Sequence, residues 1–123
     1  MRQRLVIPCL LNVLSGCTGV LQPQPLPPYT LSGAEMTAIT RGIYSALEDV
    51  DEPSFRNVKA ARSSGGDVYV CGWMSARRGG YRTAEQPFIG TLSAGRFSLE
   101  RIAKDEYSTA EVLAKCRERG ISI

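Results

Sequence analysis

An α+β fold, one small antiparallel sheet with a helix near each end of the domain, is predicted by three features of the sequence. Ser32-Gly33-Ala34-Glu35 and Ser108-Thr109-Ala110-Glu111 both have the form of a capping box, a hydroxyl three residues ahead of a carboxylate, and each opens a run with apolar residues at helical spacing. Between them lie four stretches of strand character punctuated by glycine-bearing turns. No internal repeat and no second apolar block occurs, so a single domain over residues 31–123 is expected.

The first helix is expected over residues 33–50. Met36, Ile39, Ile43, Leu47 and Val50 fall on one face with Tyr44 beside them, and Pro53 ends the element after Asp51 and Glu52. Such a stripe reads as domain core. Phe55 to Ala61 is a modest strand, Gly65-Gly66-Asp67 a turn, and Val68 to Met74 the strongest strand of the chain. Its alternation puts Val68, Val70 and Met74 on one face and Tyr69, Cys71 and Trp73 on the other, so apolar or bulky side chains occupy both. Phe88 to Leu92 and Arg96 to Ile102 are joined by Ser93-Ala94-Gly95 as a hairpin. The last helix is expected over residues 109–119, with Gly120 as its C-terminal cap. Val112, Leu113 and Cys116 face inward, which brings Cys116 towards Cys71, and Ile121-Ser122-Ile123 is a short edge strand. The order is α-β-β-β-β-α, a sheet of about four strands with both helices expected on one face.

Ahead of this domain the chain reads as an export signal. Arg2 and Arg4 make a basic start, Leu5 to Leu14 an apolar run, and Ser15 and Gly16 are small enough for a peptidase cleft. The run is about half of the roughly 20 apolar residues a spanning helix needs, and it contains Pro8 and Asn12. Leu14-Ser15-Gly16-Cys17 resembles the lipobox of bacterial lipoproteins, an aliphatic residue, two small residues and a cysteine. That resemblance implies removal of residues 1–16, diacylglycerol on the Cys17 thiol, and acylation, for example by palmitate, of its new amino group. Two or three acyl chains would make the membrane attachment firm. Thr18 rather than Asp after the cysteine implies, by analogy with enteric bacteria, the periplasmic side of the outer membrane. Residues 17–30 follow as a lipidated tether. Pro23, Pro25, Pro27 and Pro28 favour an extended polyproline helix, and a dozen residues at ~3.1 Å each lift the domain roughly 35 Å from the bilayer.

With the signal removed, Arg2 and Arg4 are lost, so the 15 basic residues become 13 against 12 acidic ones, +1 in place of +3. A near-neutral domain has no general electrostatic claim on nucleic acid, and no nucleic-acid partner is expected. Of the four cysteines, Cys9 leaves with the signal and Cys17 carries the lipid, so Cys71 and Cys116 remain. Two cysteines in an exported domain read first as a disulfide. Closing a loop of about 45 residues is worth roughly 4 kcal/mol in the chain-entropy description. A redox pair would want close C-x-x-C spacing, and with no histidine in the chain two thiols cannot complete a zinc shell.

A second resemblance involves Val70-Cys71-Gly72-Trp73-Met74, Gly79-Gly80-Tyr81 and Pro87-Phe88, with Pro53-Ser54-Phe55-Arg56-Asn57-Val58 upstream. These are similar to a small exported bacterial domain common among uncharacterised proteins, with the pattern Val-Cys-Gly-x-Val-Asn-x-Lys-Asn, then Gly-Gly-Tyr, then Pro-Phe. The likeness spans about residues 33–120 and implies the domain limits; no activity comes with it. Ser75 stands where that pattern has Asn, Arg77 and Arg78 replace its Lys-Asn, and the loop before Gly79 is about two residues shorter.

Residues 75–86 are the segment most suited to binding. Arg77, Arg78, Tyr81 and Arg82 around Gly79-Gly80 are expected to form a mobile cationic loop. Guanidinium groups suit carboxylates and phosphates, and loops concentrate binding residues. An anionic glycan, a lipid A phosphate or an acidic protein surface would fit. The plainer reading is a solvated connection whose arginines keep a sheet edge soluble. Trp73 and Tyr81 could stack on sugar rings, although packing of Trp73 against the disulfide is the simpler expectation.

Catalysis finds little support. Without histidine the commonest general base is missing, and no Ser-x-x-Lys occurs. Glu48, Asp49, Asp51 and Glu52 lack the ligand spacing and glycine of a calcium loop, so neither metal nor cofactor is expected. The expected function is a non-catalytic, membrane-anchored lipoprotein that binds or assembles with an envelope component. An inhibitor of an envelope-attacking lysozyme or protease is the first alternative, since a rigid disulfide domain with one projecting loop is preorganised for it; a small hydrolase is the second.

Overall fold

The computed structural model describes residues 26–123; the expected signal, Cys17 and the tether as far as Pro25 lie outside the described residues. In chain order the elements are β1 (Pro28–Tyr29), α1 (Gly33–Ala46), β2 (Asp51–Arg62), β3 (Val68–Arg78), β4 (Tyr81–Arg82), β5 (Gln86–Ser93), β6 (Arg96–Ile102) and α2 (Glu106–Glu118). All pairings are antiparallel in the order β1-β2-β3-β5-β6, and β4 pairs with the last residues of β3 beyond the end of β5. The fold is α+β as expected. The sheet has six strands in place of about four, because the two-residue β1 and β4 add to the four expected runs. β1 comes from the end of the proline stretch expected to be tether, with Pro28 opposite Ala61 and Tyr29 opposite Ala60.

α1 starts where its cap predicts. Ser32 Oγ accepts from the Glu35 N–H at 3.1 Å, and Glu35 Oε1 accepts from the Ser32 N–H at 2.9 Å. The second Glu35 oxygen accepts from the Tyr29 hydroxyl at 2.8 Å, so α1 is pinned to β1. The Ser32 N–H first, and the Tyr29 hydroxyl after it, hold the Glu35 carboxyl below the usual carboxylate range. The helix ends at Ala46 rather than at residue 50. Asp49, at φ 58, turns the chain, and Val50 reaches the core from outside the helix. Pro53 does not terminate the helix; it lies within β2, at a register shift between Asp51 and Ser54. A bulge is where a strand tolerates a residue without a donor.

The alternation in β3 holds. Val68, Val70 and Met74 pack with Ile39, Ile43, Phe88 and Phe97 on the α1 face. Cys71 packs with Ile89, Ala103, Val112, Cys116 and Ile121 on the other. The two helices therefore cover opposite faces of the sheet, not one. The physical reason is in the central strands: adjacent residues Val70 and Cys71, and Phe88 and Ile89, are all buried, so each face needs its own cover.

Phe97 sets the spacing of the α1 layer. Its ring stands edge-on to Phe88 at a centroid distance of 6.1 Å, between Gly42 of α1 and Gly90 of β5. A Cβ at Gly42 would lie 2.5 Å from the Phe97 carbonyl oxygen and 2.9 Å from its Cδ2. One at Gly90 would overlap the Phe97 ring and approach the Ser98 carbonyl oxygen. Both glycines are there because helix and strands meet at backbone distance.

The α2 layer is fastened differently. Cys71 of β3 and Cys116 of α2 form a disulfide, with Cα atoms 6.2 Å apart and no exposed surface on either residue. α2 begins at Glu106, three residues before the expected start, because the N-cap is Asp105 and not Ser108. Asp105 Oδ1 accepts from the Ser108 N–H at 2.7 Å, and Ser108 Oγ accepts from the Asp105 N–H at 3.1 Å. The end follows expectation: Gly120 at φ 80 lets the Ile121 N–H donate to the Cys116 carbonyl oxygen at 2.9 Å. Ile121 is buried against α2, and residues 121–123 form no edge strand. A clasp closes this end. The Arg119 guanidinium donates to both Glu100 oxygens, at 2.6 and 2.9 Å, and lies 4.3 Å over the Tyr69 ring. The Thr91 hydroxyl donates to the same carboxylate at 3.0 Å.

Candidate functional site

The segment expected to be a mobile loop is a β-hairpin. Ser75 to Arg78 continue β3, and Tyr81 and Arg82 return as β4, with Arg78 opposite Tyr81 and Arg77 opposite Arg82. Gly79 and Gly80, at φ 60 and 90, form the two-residue turn, the backbone combination that matches the twist of flanking strands and favours glycine. Ala76 and Thr83 lock the base: the Thr83 N–H donates to the Ala76 carbonyl oxygen at 2.7 Å, and the Ala76 N–H to Thr83 Oγ1 at 3.0 Å.

Strand alternation splits the arginines that the sequence grouped. Arg77 and Arg82 stand on the Cys71 face; Arg78 and Tyr81 stand on the α1 face. Two like charges directly opposite on paired strands repel. Here both turn to Glu52: Arg77 Nε donates to Glu52 Oε2 at 2.9 Å, and Arg82 Nη1 to the Glu52 carbonyl oxygen at 3.3 Å. Glu52 sits at φ 47 in the first bulge of β2, and its N–H donates to the Tyr44 hydroxyl of α1 at 3.0 Å. Arg82 Nη1 also donates to Ser75 Oγ at 3.3 Å; Ser75 is itself buried.

A third guanidinium extends this shelf. Arg56 of β2 lies opposite Trp73 of β3, and its guanidinium carbon is 5.3 Å from the centre of the indole ring. Its Nε donates to both Glu85 oxygens, at 3.1 and 3.0 Å. The Cys71 face of β2, β3 and β4 thus carries Arg56, Arg77 and Arg82; the ion pairs of Arg56 and Arg77 leave both arginines about half in solvent, where pairing is weak and exchangeable. Tyr81, 64 % exposed beside the turn, is the large apolar group the hairpin offers.

On the other face, Arg78 borders a pocket of about 340 Å³ at the C-terminal end of α1. A wider apolar groove of about 760 Å³ runs along the β1 edge past Tyr29, Met36, Val58 and Ile121. Among the described residues no cluster of three metal-ligating side chains occurs, and no helix is long and apolar enough to cross a membrane.

The chain matches no family model, no curated protein and no solved structure.

Of the residues picked out by sequence, Arg77, Arg78, Tyr81 and Arg82 share one hairpin, and Cys71 and Cys116 are bonded. Cys17 lies outside the described residues. Glu52 and Arg56 were not anticipated as part of the site, and Glu85, within the 75–86 segment, was not expected as a partner of Arg56. Their contacts join residues 25 to 30 positions apart, and only the strand pairing reveals them.

Proposed function

We propose that the protein is a membrane-anchored lipoprotein that uses the β3–β4 hairpin to hold an acidic component of the bacterial envelope, without catalysing a reaction. One observation carries this reading: a short β-ribbon bears three arginines, and a fourth, Arg56, lies beside it. The exposed ion pairs of Arg56 and Arg77 can be exchanged for a partner's carboxylates or phosphates at little cost, since each surface pair is worth only about 0–1 kcal/mol. The lipobox resemblance of Leu14-Ser15-Gly16-Cys17 supports the anchor, Thr18 after the cysteine supports the periplasmic side of the outer membrane by analogy with enteric bacteria, and the resemblance to a small exported domain is consistent with that setting.

The test is crosslinking of the protein in its native envelope followed by mass spectrometry, with intact-mass analysis of Cys17 in the same sample. A defined partner whose crosslinks vanish when Arg77, Arg78 and Arg82 are replaced together by Gln supports the reading. Identical crosslinks from that variant, or an unacylated Cys17, refute the corresponding half. A second reading, inhibition of an envelope-attacking hydrolase, is favoured by the exposed Tyr81 beside a tight turn, a shape suited to a cleft. It requires the crosslinked partner to be a hydrolase that loses activity stoichiometrically.

A further inference from the structure

The pocket beneath the hairpin has a chemistry of its own. Its floor is Leu47, Val50, Met74, Ala76 and Ile102, and Val50, Met74 and Ala76 belong to the buried core of the α1 layer. Its rim carries Arg78, Lys104 and Gln86. The two cations come from opposite sides: Arg78 from the end of β3, Lys104 from just past β6. Elsewhere Arg56, Arg77, Arg101 and Arg119 are engaged by carboxylates, but among the described residues neither Arg78 nor Lys104 forms an ion pair. The remaining polar side chain, Thr83, already accepts from the Ala76 N–H. An apolar cleft with a few convergent polar groups is the usual form of a small-ligand site, and about 340 Å³ lies at the lower end of its size range.

We propose that this pocket binds a single-chain fatty-acid carboxylate, with the acyl chain on the apolar floor and the head group between Arg78 and Lys104. Charge complementarity selects the anion, because a guanidinium and an ammonium at one rim repel each other until a carboxylate lies between them. The floor selects the tail, because methylene groups seated there are removed from water. The volume admits one chain and not the two of a bilayer lipid. An acidic peptide fits less well, since its backbone N–H and C=O groups would lie against the apolar floor of Leu47, Val50, Met74, Ala76 and Ile102 without partners. The site lies on the opposite face from Arg77 and Arg82 and stands whether or not the hairpin also holds an envelope partner.

The experiment is an amide NMR titration of the isotope-labelled full chain with octanoate below its micelle concentration. Octan-1-ol, acetate and phosphatidylglycerol vesicles form parallel arms. The expected result is saturable shifts at Ala76, Arg78, Thr83, Ile102 and Lys104 with octanoate, and at least about tenfold weaker binding of octanol and acetate. Arg78→Gln with Lys104→Gln weakens octanoate by about tenfold or more, while Arg77→Gln on the other face leaves it unchanged. Octanol or acetate binding as tightly as octanoate overturns the proposal. So do shifts confined to other residues, vesicles perturbing these amides when octanoate does not, or Arg77→Gln losing as much as the double variant.

Discussion

Replacing Gly42 by Ala sets helix propensity against packing, and the structure predicts which one wins. Gly42 lies inside α1, where glycine costs about 1 kcal/mol relative to alanine, so propensity alone predicts a more stable protein. The new Cβ, however, would stand 2.5 Å from the Phe97 carbonyl oxygen, while ordinary contact begins near 3.4 Å. α1 and β6 would have to separate by roughly 0.5–0.9 Å, and the obstacle is backbone that cannot rotate aside. The Phe97 ring would also leave its place against Phe88. Overpacking of this kind costs typically 1–3 kcal/mol and here belongs at the upper end, so the net expectation is a loss of about 1–2 kcal/mol. For a domain of about 100 residues that lowers Tm by roughly 4–16 °C. Urea unfolding followed by Trp73 fluorescence measures it, with Gly33→Ala as the control because no atom lies within 4 Å of its new Cβ. Gly42→Ala as stable as the parent protein would refute the close approach of α1 to β6.

Joint replacement of Cys71 and Cys116 by Ala should cost about 4 kcal/mol, from the 45-residue separation of the bonded pair, and shift the urea midpoint accordingly. Protection of α2 amides should fall further than that of α1; equal losses in both helices would count against separate layers. The Arg119 hydrogen bonds, foremost among its contacts, hold the Glu100 carboxyl below the usual value of 4.5. The folded pKa is depressed, so this contribution is complete above the unfolded value and drains away as pH falls through the folded one. Glu100→Gln should therefore cost up to about 1 kcal/mol at pH 7 and flatten the acid limb of stability as pH falls below 4.5. An unchanged acid limb would mean the clasp is not formed in solution.

Much of the scaffold was legible because it rests on local rules. The cap Ser32–Glu35 located the start of α1, the Ser93-Ala94-Gly95 connection located a hairpin, and β6 has the bounds its sequence suggests. What failed depended on partners remote in sequence or on unusual local chemistry. Asp105 was overlooked as a cap because its reciprocal partner is Ser108, a hydroxyl in place of the usual carboxylate. The first four residues of β2 were hidden by Pro53, which a bulge accommodates. The 75–86 hairpin read as a loop because strands of arginine carry no apolar alternation, and because paired glycines signal both flexibility and a tight turn. Apolar residues on both faces of Val68–Met74 did signal two covered faces; the order of elements along the chain does not say which face each helix takes. The pocket between Arg78 and Lys104 was invisible, since it needs β3 and the end of β6 to converge.

The placement of the disulfide has a kinetic consequence. With neither sulfur-bearing residue reaching solvent, a reductant or an exchanging thiol cannot attack the bond while α2 is seated. Exchange must wait for the helix to lift from β3, so its rate is the reagent's own attack rate scaled down by the population of that opening. The same gate works in reverse during maturation. An oxidant has to reach Cys71 before α2 closes over it, and a chain that seats the helix too early shuts its thiols away unjoined.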